Sequence, residues 1–217
     1  DYDLVVAVGT RLLNNQQLTG QKVLQIDIDD EEIGRNYENT EGINGDAKKT
    51  LSEILSGLKG VMSPRESRVE ELTALKAERF NPGTVIEPQE SFTKAIRGVM
   101  PDDGIFISGM TQIGYYSRNK YEVYEPRTYI TSSYYGNLGY AYPTALGAKV
   151  AQPDKAVVAV CGDGGFMFNV QELATAAKHQ INVVAVVFND NAYGNVMRDQ
   201  VNMFDGREYG AEVHNPD

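Results

Sequence analysis

Two acidic residues in the second half of the chain each follow a run of small and branched apolar residues. Asp163 stands in Gly162-Asp163-Gly164-Gly165 after AVVAVC, and Asp190 stands in Asn189-Asp190-Asn191 after VVAVVF. Such runs read as parallel strands covered on both faces. Ligand sites in open α/β sheets lie beyond the carboxyl ends of the strands. Neighbouring strands would therefore bring the two carboxylates to one rim, although 27 positions separate them. Close carboxylates repel, and a proton or a cation must relieve them. Oxygen donors favour a hard ion such as Mg²⁺, which keeps open positions for water or phosphate oxygens. Gly162, Gly164 and Gly165 permit close backbone approach, so that N–H groups can face an anion. The sum is a metal-bridged diphosphate site. One Asp of this kind would read more simply as a turn cap; the matched pair favours the site. Neither GxxxxGK[ST] nor GxGxxG occurs, which argues against a P-loop or a typical dinucleotide fold.

The elements that must hold these residues are legible in outline. AVVAVC, a helix from Val170 to about His179 and VVAVVF form a βαβ unit, with Asn169 and Glu172 as a capping box. Upstream, ESFTKAIRGVM is a helix stopped by Pro101, IFISG a strand, and Tyr142–Ala151 a helix with Pro143 in its first turn. The first part of the chain is also α/β. LVVAVGT and KVLQIDID read as strands, followed by helical EEIGRN and by a helix over Asp46–Leu58 with Ala47, Leu51, Ile54, Leu55 and Leu58 at helical spacing. A charged, Pro-bounded segment containing a helix joins the two regions. The expected division is 1–62, a linker over 63–83, and 84–217.

GDG, the intervening helix and Asn189-Asp190 closely resemble the motif of thiamine diphosphate (ThDP) enzymes, which runs from GDG to a paired NN. YYGNLGYAYPTALGAKVA resembles the segment of acetolactate synthase-like members that carries the thiamin ring, and the N-terminal region resembles the end of their central domain. The resemblance covers nearly the whole chain. It implies an α/β fold of open parallel sheets flanked by helices, the ThDP-binding fold, with a partial Rossmann-like central domain.

The resemblance also implies roles. Asp163, Asp190 and the backbone carbonyl of Ala192 would hold Mg²⁺. Asp190 departs from the motif, which has Asn there, and adds negative charge beside a diphosphate. Asn189 would supply an amide contact, as would Asn191. Gly136 would offer its carbonyl to the cofactor's 4′-amino group, and Leu138 would wedge between the two rings. Thr111 and Gln112 would make further phosphate-side contacts. The implied activity is carbon–carbon bond cleavage or ligation on 2-oxo acids, as a decarboxylase or acetolactate synthase-like enzyme. The family's activating Glu belongs to a pyrimidine-binding domain that precedes this chain, so these residues alone are expected to be inactive; a homodimer or homotetramer is expected of the full-length enzyme. The contrasting reading is a non-catalytic cofactor- or partner-binding module. Some relatives bind FAD or a nucleotide near the position of Arg11, and the sequence does not choose.

Composition narrows the remainder. With 20 Lys and Arg against 30 Asp and Glu, the net charge of −10 offers no basic face for nucleic acid. No apolar run approaches the length of a membrane span, and the start lacks the basic region of a signal peptide. One cysteine excludes a disulfide framework and fits a reducing cytoplasm. Cys161 reads as a small core residue, His179 as a helix-end residue and His214 as an exposed loop residue. Nine of the thirteen tyrosines fall between Tyr115 and Tyr142, which suggests a subunit interface or a substrate pocket.

Overall fold

The computed structural model describes residues 2–13, 18–63, 66–79, 85–132 and 135–215. Residues 64–65 and 80–83 of the expected linker, with residue 84 and Tyr134, lie outside them. The chain divides into two compact units, 1–70 and 71–217.

The first unit is a parallel sheet in the order β1-β2-β3, made of β1 (Leu4–Val8), β2 (Lys22–Asp27) and β3 (Thr40–Asn44). Val23 and Ile26 are fully buried beside Ala7. Gln25 is buried with them and satisfies its amide through loop backbone. Its Nε2 donates to the carbonyls of Thr10 (3.0 Å) and Glu32 (3.1 Å), and its Oε1 accepts from the Gly34 N–H (2.9 Å). Two details differ from the sequence reading. EEIGRN contributes only to a 3₁₀ turn, Asp30–Glu32, capped by the Asp29 side chain. The third strand, TEGIN, carries little strand signal because Glu and Gly disfavour strands. Its glycine is required by packing, since a Cβ at Gly42 would collide with the Ile33 side chain. Helix α1 (Ala47–Leu58) forms as expected, with the Asp46 carboxylate accepting from the Lys49 N–H at 2.9 Å. Its Leu51, Leu55 and Leu58 are exposed.

The second unit begins with helix α2 (Val69–Arg79), at the boundary, and α3 (Gln89–Val99). Its sheet is parallel, in the order β5-β4-β6-β7, from β4 (Ile105–Ser108), β5 (Tyr129–Thr131), β6 (Val157–Gly162) and β7 (Val184–Phe188). Side-chain alternation along the strands sorts the core into two layers. Ile105, Ile107, Val157, Ala159 and Cys161 pack with Ala141, Ala145 and Leu146 of α5 (Ala141–Ala151). Phe106, Val158 and Val160 pack on the other face with Met100, and with Ile113 of α4 (Gln112–Lys120) and Tyr121 beyond it. The sheet is thus covered on both faces, and its chain order reverses between β4 and β6. Ligands bind at such a switch point.

Beyond β6 come α6 (Asp163–Met167), α7 (Glu172–His179), β7 and α8 (Gly194–Met203). The expected capping box is not formed. Helix α7 starts at Glu172 without a side-chain cap, and Asn169 Nδ2 reaches across the chain to donate to the Gly139 carbonyl at 2.7 Å. Strand β7 is less enclosed than its sequence suggests. It pairs with β6 alone among the described residues, and Val184 and Val187 are exposed. The tyrosine cluster also divides. Tyr116, Tyr121 and Tyr142 are buried, and Tyr121 and Tyr129 pack their rings on Phe106 in the core, whereas Tyr115 and Tyr116 border a cavity. Cys161 is buried as expected, and burial pushes its thiol up to about 12. His179, in the last turn of α7, and His214 are both exposed.

Candidate functional site

Strands β6 and β7 pair in register up to Gly162 opposite Phe188, so Asp163 and Asn189 leave the same rim side by side, with Asp190 one residue further. Between them and the carboxyl end of β4 lies a cavity of about 540 Å³. The residues expected to contact cofactor or metal reach it from four places. Gly162, Asp163, Gly164 and Gly165 come from the end of β6 and from α6, and Asn189, Asp190 and Ala192 from the turn after β7. Thr111 and Gln112 come from the start of α4, and Gly136 and Leu138 from the loop after β5. The residues expected to contact cofactor or metal therefore line one cleft, except Asn191, which does not line it.

Asp163 is 5% exposed, and Asp190 stands more open to solvent beside it. Burial, and after it the charge of Asp163, raise the Asp190 carboxyl above its ordinary value. The Ala192 N–H donates to Asp190 Oδ1 at 3.3 Å and fixes that carboxylate. Its second oxygen has room because residue 194 is glycine; a Cβ there would lie 2.8 Å from Asp190 Oδ2. The backbone around Ala192 is held by a short antiparallel bridge. The Val213 N–H donates to Asn191 O and the Tyr193 N–H to Ala211 O, both at 2.7 Å. Because peptide groups alternate along a strand, the Ala192 carbonyl faces away from that bridge. The donor set is thus two carboxylates and a peptide carbonyl, all oxygen, which fits a hard divalent cation. Among the described residues no cluster of three or more His, Cys, Asp or Glu side chains is suited to a metal.

The other wall suits an anion. Helix α4 opens on the cleft with Thr111 as its N-cap, and no side-chain capping bond occupies the Thr111 hydroxyl. That hydroxyl lies against Gly162, with Oγ1 3.4 Å from where a Cβ would stand. Gln112 Nε2 lies over Gly194, on the same side as Asp190 Oδ2. A helix N-terminus with free donors favours phosphate oxygens. Leu138 is half-buried and belongs to neither core cluster, and its Cδ2 lies 3.7 Å from a Cβ built on Gly165. Gly136 takes φ +62°, which a glycine adopts without strain.

Two contributors carried no usable sequence signal. Asn215 donates to Asp163 Oδ2 at 2.6 Å and to Asn189 Oδ1 at 3.1 Å, from 52 positions away. Tyr193 lies on the turn after β7, its ring 2.5 Å from where a Cβ on Gly164 would stand, so only glycine fits beneath it. A neighbouring cavity of about 610 Å³ shares Gln89, Gln112, Tyr115 and Asn195 with the cleft.

Comparison with known families decides the reading. Residues 109–217 match the thiamine pyrophosphate enzyme C-terminal TPP-binding domain, and residues 1–54 match the central domain of the same enzymes. The chain belongs to the thiamine pyrophosphate enzyme family. The two matches fall in the second and first compact units respectively. Relatives within the family differ in their named reactions. The chain is 33% identical to the acetolactate synthase large subunit of Corynebacterium glutamicum, over 98% of this chain and 36% of that protein. It is 32% identical to a probable acetolactate synthase large subunit of Methanocaldococcus jannaschii, over 99% of this chain and 39% of that protein. A probable 2-ketoarginine decarboxylase of Pseudomonas aeruginosa is 29% identical over all of this chain and 40% of its own length. The chain spans less than half the length of these relatives. Among the described residues no helix is long and apolar enough to cross a membrane.

Proposed function

We propose that this chain supplies the diphosphate- and metal-binding side of a ThDP- and Mg²⁺-dependent enzyme that cleaves or joins carbon–carbon bonds of 2-oxo acids. The observation that carries the proposal is the meeting of Asp163, Asp190 and the Ala192 backbone at one rim, opposite the α4 N-terminus. Family membership and the acetolactate synthase and decarboxylase names among the relatives support the reaction class.

The residues divide the work. Asp163, Asp190 and the Ala192 carbonyl hold the cation, which removes the repulsion between the carboxylates. Thr111, Gln112 and the glycine turn bind phosphate oxygens through hydroxyl, amide and N–H donors. Gly136 and Leu138 orient the ring end, the first by its carbonyl and the second by filling the bend. When bound, the cofactor supplies the nucleophilic carbon and electron sink that 2-oxo acid chemistry requires. No glutamate lines the cleft among the described residues, so the activating carboxylate comes from a facing domain, in a homodimer or homotetramer. The test is carbon dioxide release from a panel of 2-oxo acids by the full-length protein. Release that requires both ThDP and Mg²⁺ supports the proposal. Full release from Asp163→Ala, or none from the wild type on any 2-oxo acid, would overturn it.

A further inference from the structure

The loop that carries Gly136 and Leu138 is pinned at two points. The Gly136 N–H donates to the Ser132 carbonyl at 2.7 Å. At the other end Asn169 Nδ2 donates to the Gly139 carbonyl, also at 2.7 Å. Asn169 stands just after α6, the short helix that starts at Asp163, so one side chain ties the ring-side loop to the diphosphate-side turn. The loop is seated closely on this tie. Gly139 has φ +79°, and a Cβ there would stand 2.7 Å from Asn169 Nδ2 and 2.9 Å from Phe168 Cβ. Leu138 lies between Gly136 and this anchor, with its Cδ2 against Gly165. Glycines at positive φ let the loop take other paths, so its path is set by what holds it. The sequence placed Asn169 as a helix cap, yet α7 starts without a side-chain cap. Asn169 Nδ2 is bound to the loop, and its Oδ1 accepts from Gln171 Nε2 at 3.5 Å.

We propose that Asn169 is a positioning residue, which sets the distance between the ring-binding loop and the diphosphate-binding turn without touching the cofactor. This rests on the proposed function for the identity of the ligand, but the tie itself is a property of the protein alone. A fixed span matters because misplacement of a reacting group by about 1 Å can cost roughly 10²-fold in rate. The tie sets the placement of Leu138 under the ring junction, whereas the metal and phosphate contacts do not depend on it.

The experiment compares wild type, Asn169→Ser and Asn169→Asp in the full-length protein. Serine is too short to reach Gly139, and aspartate keeps the shape of asparagine but sets a carboxylate against the carbonyl. Amide hydrogen exchange over residues 135–142 is measured without ThDP or Mg²⁺, followed by melting temperature, ThDP affinity and steady-state kinetics. The expected result is exchange about tenfold faster in this loop alone, the factor expected for loss of one ordinary hydrogen bond. With it, kcat falls about tenfold or more, while ThDP affinity and KM change less. Unchanged loop exchange in both variants would overturn the role. So would faster exchange throughout the second unit with a matching loss of melting temperature, since that describes a general structural residue. Should one variant fail to fold, the other decides. A wild type that binds no ThDP would overturn the proposed function, whereas the exchange comparison tests the tie on its own.

Discussion

Asp163 and Asp190 stand at one rim in different surroundings. Asp163 is deeply buried and held by Asn215, whereas Asp190 carries a carboxyl raised by burial and by its neighbour. Asparagine at 190 would keep an oxygen donor and remove the repulsion. Asp190→Asn is therefore expected to bind ThDP with Mg²⁺ at least as tightly as wild type, as measured by calorimetry; a loss of tenfold or more (about 1.4 kcal/mol) would contradict this. Leu138 supplies a second residue-scale test. It is half-buried and outside both core clusters, so Leu138→Ala should cost well below the roughly 2–5 kcal/mol of a core truncation. Exchange of the cofactor's C2 proton should slow about tenfold or more, with ThDP affinity falling only a few-fold. A large stability loss with unchanged exchange would make Leu138 a packing residue. GDG and the residues after VVAVVF were legible because they form a matched pair after two buried parallel strands, where a single Asp would read as a turn cap. Asn215 and the true partner of Asn169 were not, since a long-range amide bond leaves no periodic trace in sequence.

At the scale of elements, α4 matters most, because its first turn carries Thr111 and Gln112. It approaches β4 through Gly114, where a Cβ would collide with the Gly109 carbonyl oxygen and come 2.8 Å from Ser108 Oγ. Gly114→Ala should thus destabilise the fold by about 1–3 kcal/mol in urea titration, despite the higher helix propensity of alanine. A stabilised variant would show that α4 does not sit this close. On its far side α4 is tied to α3 by Tyr116, whose hydroxyl donates to Glu90 Oε2 at 2.6 Å, and Lys94 pairs with Glu90 Oε1 at 2.8 Å. Burial above all pushes the Tyr116 phenol up to about 12. Glu90 moves the other way: its hydrogen bonds to Lys94 and then to Tyr116 lower its carboxyl below the ordinary value. A carboxyl lowered on folding stabilises the protein above its unfolded value of about 4.3, and that stability is lost as pH falls through the folded value. Denaturation at pH 7 and pH 3.5 should therefore show Glu90→Gln losing less stability on acidification than wild type. Equal losses would remove Glu90 from the acid limb. The periodicity of these helices was readable from apolar spacing, but their mutual ties were not. Strand β3 escaped because packing, rather than propensity, places Gly42 beside Ile33.

For the whole molecule, the order of elements was more legible than their edges. Parallel apolar strands with helices between them imply a doubly covered sheet, and the second unit has one, with its cleft where the strand order reverses. The exposure of β7 and of the α1 leucines was not readable, because burial depends on neighbours that periodicity does not name. The cleft gathers two carboxylates, the start of α4 and the loop of Gly136 and Leu138, and no glutamate lines it among the described residues. The 217-residue chain alone is accordingly expected to release no carbon dioxide from pyruvate or other 2-oxo acids with excess ThDP and Mg²⁺; turnover like that of the full-length protein would contradict the division of labour proposed here. The central claim is that Asp163 and its partners form a metal-dependent diphosphate site. Calorimetric titration of ThDP into the full-length protein, with Mg²⁺ or with a chelator, tests it most directly. The expected result is saturable binding that requires Mg²⁺ and disappears in Asp163→Ala. Equal binding in the presence of chelator and in Asp163→Ala would contradict it.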